Sequence, residues 1–323
     1  MEFKKFKEIG HEIGLTSLFC ETINDKIILY GGSNFPKGTP PNGMRVTHKD
    51  MYIYDTNFNL INKKIGDIAP DRGICLKADN EIYYISGAGN TKIYKYYFKN
   101  DELQEDEIYD LGFEIVGGYG CIYKGKIYFG KENIYEFDLK TLSLNKKSDF
   151  IGIPREQSVY FESNGYIYVL SGASNICHLD SYKYDILNDK WEKLKDLDIN
   201  LTGSAFLKIS DKKVLITGGC NKEIFDEAVK KLSDIEFKKS YFSKNREDVK
   251  FNKDIYFYDI LNEKLELLSK GSIENATCGS TLLKILDDIY LINGEYKPGF
   301  RTPNVLKATL NLKWEEVWKK KKY

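Results

Sequence analysis

The sequence predicts an all-β fold, a six-bladed β-propeller with four antiparallel strands per blade. Three observations lead there: a strand pattern that recurs six times, an aromatic alternating strand after each copy, and 24 Tyr with 18 Phe against only 7 Pro. The repeat comes first, because periodicity decides the architecture. Lys26-Ile-Ile-Leu-Tyr-Gly-Gly32, Glu81-Ile-Tyr-Tyr-Ile-Ser-Gly87, Tyr166-Ile-Tyr-Val-Leu-Ser-Gly172, Lys213-Val-Leu-Ile-Thr-Gly-Gly219 and Asp288-Ile-Tyr-Leu-Ile-Asn-Gly294 are β-branched and aromatic runs ending in Gly. Lys126-Ile-Tyr-Phe-Gly130 is a degenerate sixth copy. Their composition and length are those of buried strands. Start-to-start spacings are 55, 45, 40, 47 and 75, the last lengthened by an insertion at residues 220–253.

A smaller apolar run containing Gly, Cys or Ser precedes each copy, and an aromatic strand such as Met51-Tyr-Ile-Tyr-Asp55 or Ile255-Tyr-Phe-Tyr-Asp259 follows it. Four followers end in an aromatic residue and Asp, a turn opener, and a more polar strand comes next. Four strands in each of six units make a radial propeller. The expected blades are 14–68, 70–112, 115–152, 155–198, 201–270 and 275–323, one domain. For the outermost strand of the last blade the favoured segment is Lys313-Trp-Glu-Glu-Val-Trp318, with Phe3-Lys-Lys-Phe-Lys-Glu8 as the alternative. Most of the Tyr and Phe belong between blades, where bulky side chains fill the gap between sheets.

Composition excludes several partners. With 48 basic and 48 acidic residues the formal charge is zero, which leaves no field for a phosphate backbone or an anionic bilayer. No apolar run approaches the roughly 20 residues that span a bilayer, and the amino terminus lacks the apolar core of a secretory signal. The expectation is a cytoplasmic protein with neither nucleic acid nor membrane as partner, and nothing in the residues supports a homodimer. Six isolated cysteines carry no zinc spacing and read as reduced thiols. Cys20, Cys75, Cys121 and Cys278 are expected on axial first strands. No metal cluster or phosphate-binding Gly loop is present, so no cofactor is expected. Lys319–Lys322 reads as a solvated tail.

In such a meander, the loop between strands two and three emerges at the same end as the loop that leads into strand one. The long loops 33–50, 220–253 and 295–305 all follow a second strand, which marks that end as the functional face. Residues 225–232 have helical spacing and form either a short lid or an exposed decoration. Arg72 and Arg155 arrive at the same face just before first strands. Each either grips a ligand carboxylate or pairs with a neighbouring carboxylate, Asp71 or Glu156. In Ile292-Asn-Gly-Glu-Tyr-Lys-Pro-Gly-Phe-Arg-Thr-Pro303, Pro298-Gly299 makes a turn that brings Arg301 back toward Glu295. Read from the residues alone, a structural ion pair is the simpler account of those two.

These residues carry a resemblance. The kelch-type Gly strands, together with the Glu295–Thr302 segment, resemble the N-acetylneuraminate epimerase (sialic acid mutarotase) family. Gly218-Gly-Cys-Asn-Lys-Glu-Ile-Phe-Asp226 and its return through Phe251-Asn-Lys-Asp-Ile255 resemble the family's preceding blade. Gly31-Gly-Ser-Asn-Phe-Pro36 resembles the blade that follows the Glu/Arg blade in secreted members. Here that blade stands first and the Glu/Arg blade last, so the chain resembles a cyclically permuted branch, over its whole length. The resemblance implies a mutarotase that interconverts the anomers of N-acetylneuraminate. It makes Glu295 the catalytic carboxylate, Arg301 its substrate-facing partner, and Asn34, Asn221, Arg72 and Arg155 pocket residues. Unit three, where Gly130-Lys-Glu132 replaces Gly-Gly, is expected to contribute little.

The rival class is a non-catalytic kelch module that binds a protein or glycan, since fold does not fix function. A copper oxidase would need histidines gathered on the axial face, whereas His11, His48 and His178 fall in different units and read as surface or loop residues. A sialidase would show repeated Ser-x-Asp-x-Gly-x-Thr-Trp boxes, and none occurs.

Overall fold

The computed structural model describes residues 1–310. Six four-stranded antiparallel sheets form a ring, as the repeat predicts. Blade one pairs Phe19–Ile23, Lys26–Tyr30, Asp50–Asp55 and Leu60–Ile65 in chain order. Blades two to five repeat that order from Ile74–Ala78, Tyr119–Tyr123, Val159–Ser163 and Ser204–Ser210. First strands of neighbouring blades pack together around the axis and line a channel of about 430 Å³.

The last sheet departs from the favoured expectation. Its order is Lys4–Glu8, Asn304–Thr309, Asp288–Ile292, Thr281–Ile285, so the amino-terminal strand closes the ring. Residues 313–318, the segment favoured for that place, lie outside the described residues. The two candidates share a pattern, and long-range packing separates them. Phe3 is buried among Leu306, Ala308 and Leu310, and the Ile9 N–H donates to the Pro303 carbonyl at 2.9 Å.

Short turns join strands one and two. Asn24 and Asp25, and likewise Asn164 and Gly165, take positive φ in succession, the left-handed pair that a two-residue hairpin needs. After the third strands, Asp55, Asp138, Asp185 and Asp259 each accept two backbone N–H bonds from the following turn. That is why an aromatic-Asp pair ends those strands. Six apolar clusters, one at each blade interface, hold the ring. Between blades three and four, for example, Tyr119, Phe150, Tyr182, Tyr184 and Trp191 interdigitate. Each such buried aromatic ring contributes roughly 1.5–3 kcal/mol.

Cys20, Cys75 and Cys121 lie on axial first strands as expected. Cys278 does not: it precedes Thr281–Ile285 and pairs with Glu295 at the loop end. The insertion holds two helices, α1 (Lys222–Lys231) and α2 (Ile235–Ser243). Among the described residues no helix is long and apolar enough to cross a membrane.

If the amino-terminal strand is the clasp, Phe3→Ala should cost about 3 kcal/mol in urea unfolding. An exposed control such as Lys4→Ala should cost under about 0.5 kcal/mol. Equal, small effects would mean that the ring closes without this strand.

Candidate active site

A belt of left-handed residues fixes the loop face. Just before the six first strands stand Ser17, Arg72, Gly117, Gln157, Gly203 and Gly279, all with φ between +53° and +71°. Backbone bonds run from blade to blade through them: Arg72 N to Ser17 O, Gly117 N to Arg72 O, Gly203 N to Gln157 O and Gly279 N to Gly203 O. In five of the six blades, blade three excepted, the residue that precedes the belt position also pairs with a residue that follows the second strand. Thr16 meets Ser33, Asp71 meets Ala88, Glu156 meets Ala173, Thr202 meets Cys220, and Cys278 meets Glu295. Four blades thus place a small side chain where blade six places a carboxylate.

Glu295 is doubly bonded through its backbone to Cys278, both bonds 2.8 Å. It opens a hairpin of Glu295–Lys297 and Phe300–Arg301 in which Glu295 and Arg301 are cross-strand partners. Gly299, at φ +80°, makes the turn, and a Cβ there would stand 2.4 Å from Thr39 and 3.0 Å from Phe242. Arg301 Nη1 lies 2.8 Å from Glu295 Oε2, and the guanidinium sits 4.7 Å above the Phe35 ring. The Arg301 side chain is 6% exposed, yet its Nε and Nη1 have no hydrogen-bond partner. The ion pair is close but misdirected, so buried donors remain free to receive another acceptor. Burial pushes the Glu295 carboxyl above the usual glutamate range against the opposing charges of Arg301 and Arg45. Burial likewise lowers Arg301, against the charge of Glu295.

Around this pair lie groups that the sequence reading did not single out. Arg45, from the 33–50 loop, grips Asp71 through both terminal nitrogens, Nη1 at 2.8 Å from Oδ2. Lys131 Nζ donates to Glu156 at 2.8 Å, so unit three contributes after all. Arg72 joins it at 3.2 Å, leaving its Nε without a partner. Arg45, Arg72, Lys131 and Arg301 face Asp71, Glu156 and Glu295, four cations against three carboxylates. The end of the axis is therefore locally positive, although the chain as a whole is neutral.

Helix α2 lies against this hairpin. Phe242 packs on Phe35 at 6.4 Å, and Lys297 Nζ donates to the Lys244 carbonyl at 3.2 Å. Burial and the charge of Glu295 both raise the Tyr241 hydroxyl above its ordinary range. A cavity of about 410 Å³, lined by Phe35, Tyr296, Phe300 and Arg301, opens between the two long hairpins.

Two expected pocket residues, Arg155 and Asn221, are engaged elsewhere, and a third, Asn34, lines this cavity with its side chain already bonded. Arg155 is fully buried, and its guanidinium holds Asp180 at 2.5 and 3.1 Å and the Ile153 carbonyl at 2.8 Å, between Phe150 and Tyr182. Neither reading of Arg155, as a ligand grip or as a partner of Asp71 or Glu156, describes it. Asn34 is buried, donating to the Gly14 carbonyl and bonded through Oδ1 to His48 Nε2 at 2.8 Å. Asn221 caps α1 by accepting from Ile224 N at 3.0 Å. His178, expected as a surface or loop residue, lies in a loop and is buried there against Ser174, and His11 packs at a tilt on His48 with ring centroids 4.9 Å apart.

A sequence model of the family described as N-acetylneuraminate epimerase matches residues 108–322. The chain belongs to the N-acetylneuraminate epimerase family. The N-acetylneuraminate epimerase of Salmonella arizonae is 33% identical over 223 residues, covering 62% of this chain and 57% of that protein. N-acetylneuraminate epimerase 1 of Escherichia coli O6:H1 is 32% identical over 227 residues, covering 62% and 60%. The chain thus spans little more than half the length of these relatives. A solved structure titled "Structure of YjhT" superposes with a TM-score of 0.56 at 25% identity, over 60% of this chain and 61% of that one. The family-model match, from residue 108, takes in the end of blade two and the blades that contain the insertion and the Glu295 hairpin.

The Arg155–Asp180 pair yields a stability prediction. Burial alone would raise Asp180, but the bonds from Arg155 and Tyr182 outweigh it and bring the carboxyl to about 2. A lowered folded-state value means stability that is present above the ordinary aspartate value of 3.8 and lost as pH falls toward about 2. Asp180→Ala should cost about 3–5 kcal/mol at pH 7 by stranding a buried guanidinium. The loss in urea unfolding should shrink below pH 4; a deficit that stays constant from pH 7 to pH 2.5 would refute the pairing.

Proposed function

We propose that the protein is a mutarotase that interconverts the α and β anomers of N-acetylneuraminate. One observation supports this above the rest: a nearly fully buried Arg301 side chain with two donors that make no hydrogen bond, ion-paired to a half-buried carboxylate of raised pKa. The donors suit the C1 carboxylate of a 2-keto sugar acid, which would complete the bonding that Glu295 leaves unmade. Anchored there, the anomeric centre next to the carboxylate comes within reach of Glu295.

The chemistry asked of Glu295 is then modest. Its carboxylate takes the anomeric hydroxyl proton while the ring C–O bond breaks, and the resulting Glu295 carboxyl gives that proton to the ring oxygen. The keto form rotates and recloses on its other face with the protons returned. One well-placed acid–base group contributes roughly 10²–10⁴-fold to such a reaction. A raised pKa brings Glu295 closer to neutrality, where the same group both accepts and returns a proton. The excess local cation favours an anionic sugar. A matched segment that begins in blade two and runs into the last blade fits the reading of a cyclic permutation, with the Ser33–Asn34 blade carried to the front.

Glu295→Gln should reduce protein-dependent anomer exchange, followed by proton NMR, by at least about 100-fold while circular dichroism stays unchanged. Wild-type exchange in that variant would defeat the assignment. Exchange by the unaltered protein should fail as pH falls through a value above 4.5, because protonation removes the base and burial has raised its pKa. Arg301, Arg45 and Tyr241 are the groups that face it. A limb at or below 4.5 would place the base elsewhere.

A further inference from the structure

Three of the six free thiols gather beside the site, each from a different blade junction. Cys177 lies in the loop after the second strand of blade four, Cys220 directly after the second strand of blade five, and Cys278 in the segment leading into blade six. Cys177 Sγ and Cys220 Sγ are 3.8 Å apart, packed with Ala173, Phe225 and Phe251. Cys278 faces Cys220 from the neighbouring blade. It is the accessible member, half-buried, with its Sγ 3.8 Å from Gln157 Oε1. Cys177 and Cys220 are in sulfur–sulfur contact, against a bonded distance of about 2.05 Å.

The surroundings favour exchange. The hydrogen bond from Cys220 lowers the Cys177 thiol below its ordinary range, while the same contact, Cys278 and burial raise Cys220, and burial raises Cys20, Cys75 and Cys121. The pair also bridges two parts that the fold already ties together. The Cys177 N–H donates to Asp226 at 2.6 Å and its carbonyl accepts from Lys222 at 2.8 Å, both residues of α1. Cys220 immediately precedes the cap of the same helix.

We propose that Cys177 and Cys220 are a reversible dithiol/disulfide couple, and that a small disulfide, RSSR, reaches them through Cys278. The Cys278 thiolate attacks one sulfur of RSSR, whose S–S bond breaks, and RS⁻ leaves with the proton that Cys278 gave up. Cys220 attacks the Cys278 sulfur of this mixed disulfide and expels the second RSH. Cys177 then attacks Cys220, and Cys278 departs as a thiol. Overall two protein thiols lose two electrons and two protons, and RSSR becomes two RSH. The bond formed clips blade four to the root of the helical insertion that carries Tyr241 toward Glu295. It does not depend on which sugar the site takes.

The test incubates the intact folded protein with oxidised glutathione, quenches with acid, and maps disulfides by mass spectrometry with a free-thiol titration in denaturant. Expected are four titratable thiols of the original six, a Cys177–Cys220 cross-linked peptide, and full reversal by dithiothreitol. Cys278→Ser should slow cross-linking at least about tenfold. Cys220→Ser should leave glutathione bound to Cys278, and Cys20→Ser should change nothing. Six free thiols after prolonged treatment, or a cross-link between any other pair, would overturn the couple. An undiminished rate in Cys278→Ser would overturn its role.

Discussion

The loop face depends on a constraint of the backbone. Six residues before the axial strands adopt left-handed conformations, and at four of the six blade junctions their N–H and C=O groups link one blade to the next. In five blades a residue after the second strand is pinned through its pairing with the residue before the belt. Ser33, Ala88, Ala173 and Cys220 fill that place with little bulk, and Glu295 fills it with a carboxylate. A side chain held by two backbone bonds and buried by a hairpin has little freedom to move toward solvent. Its charge must be met locally, and that requirement brings Arg301, Arg45 and Asp71 to the same end of the molecule.

The charges there are arranged unequally. Arg155 and Asp180 satisfy each other in fork geometry, and the pair belongs to the packing between blades three and four. Arg45 and Asp71 do the same at the rim. Arg301 alone combines near-complete burial with two free donors beside an opposite charge. A buried cation with unmet donors is costly in the free protein, and an incoming carboxylate relieves that cost.

Much of this was legible in the residues and some was not. Repeating Gly-terminated strands carried the fold, and Pro298-Gly299 carried the return of Arg301 to Glu295, because both signals are local. Ring closure was not legible, since residues 3–8 and 313–318 share a pattern and only the burial of Phe3 against blade six chooses the first. Arg155 lay outside sequence reasoning for a similar reason: its partner Asp180 is 25 positions away, and no spacing rule connects them. Asn34 lines the cavity but its amide is held by the Gly14 carbonyl and His48, and Asn221 caps the helix that follows it. Arg45 sits in a long loop without regular pattern, where sequence offers no guide to direction. Aligning the residues that follow the second strands would have marked Glu295 as the exception among small side chains, and Cys220 as its equivalent one blade earlier.

The central claim is that Arg301 awaits a carboxylate. Calorimetric titration of the unaltered protein with N-acetylneuraminate and with its C1 methyl ester tests it directly, because the two ligands differ only in that group. The account predicts binding of the acid and at least about tenfold weaker binding of the ester, the loss expected for a charge-assisted hydrogen bond of about 1.5–3 kcal/mol. Equal affinity for the two would contradict it.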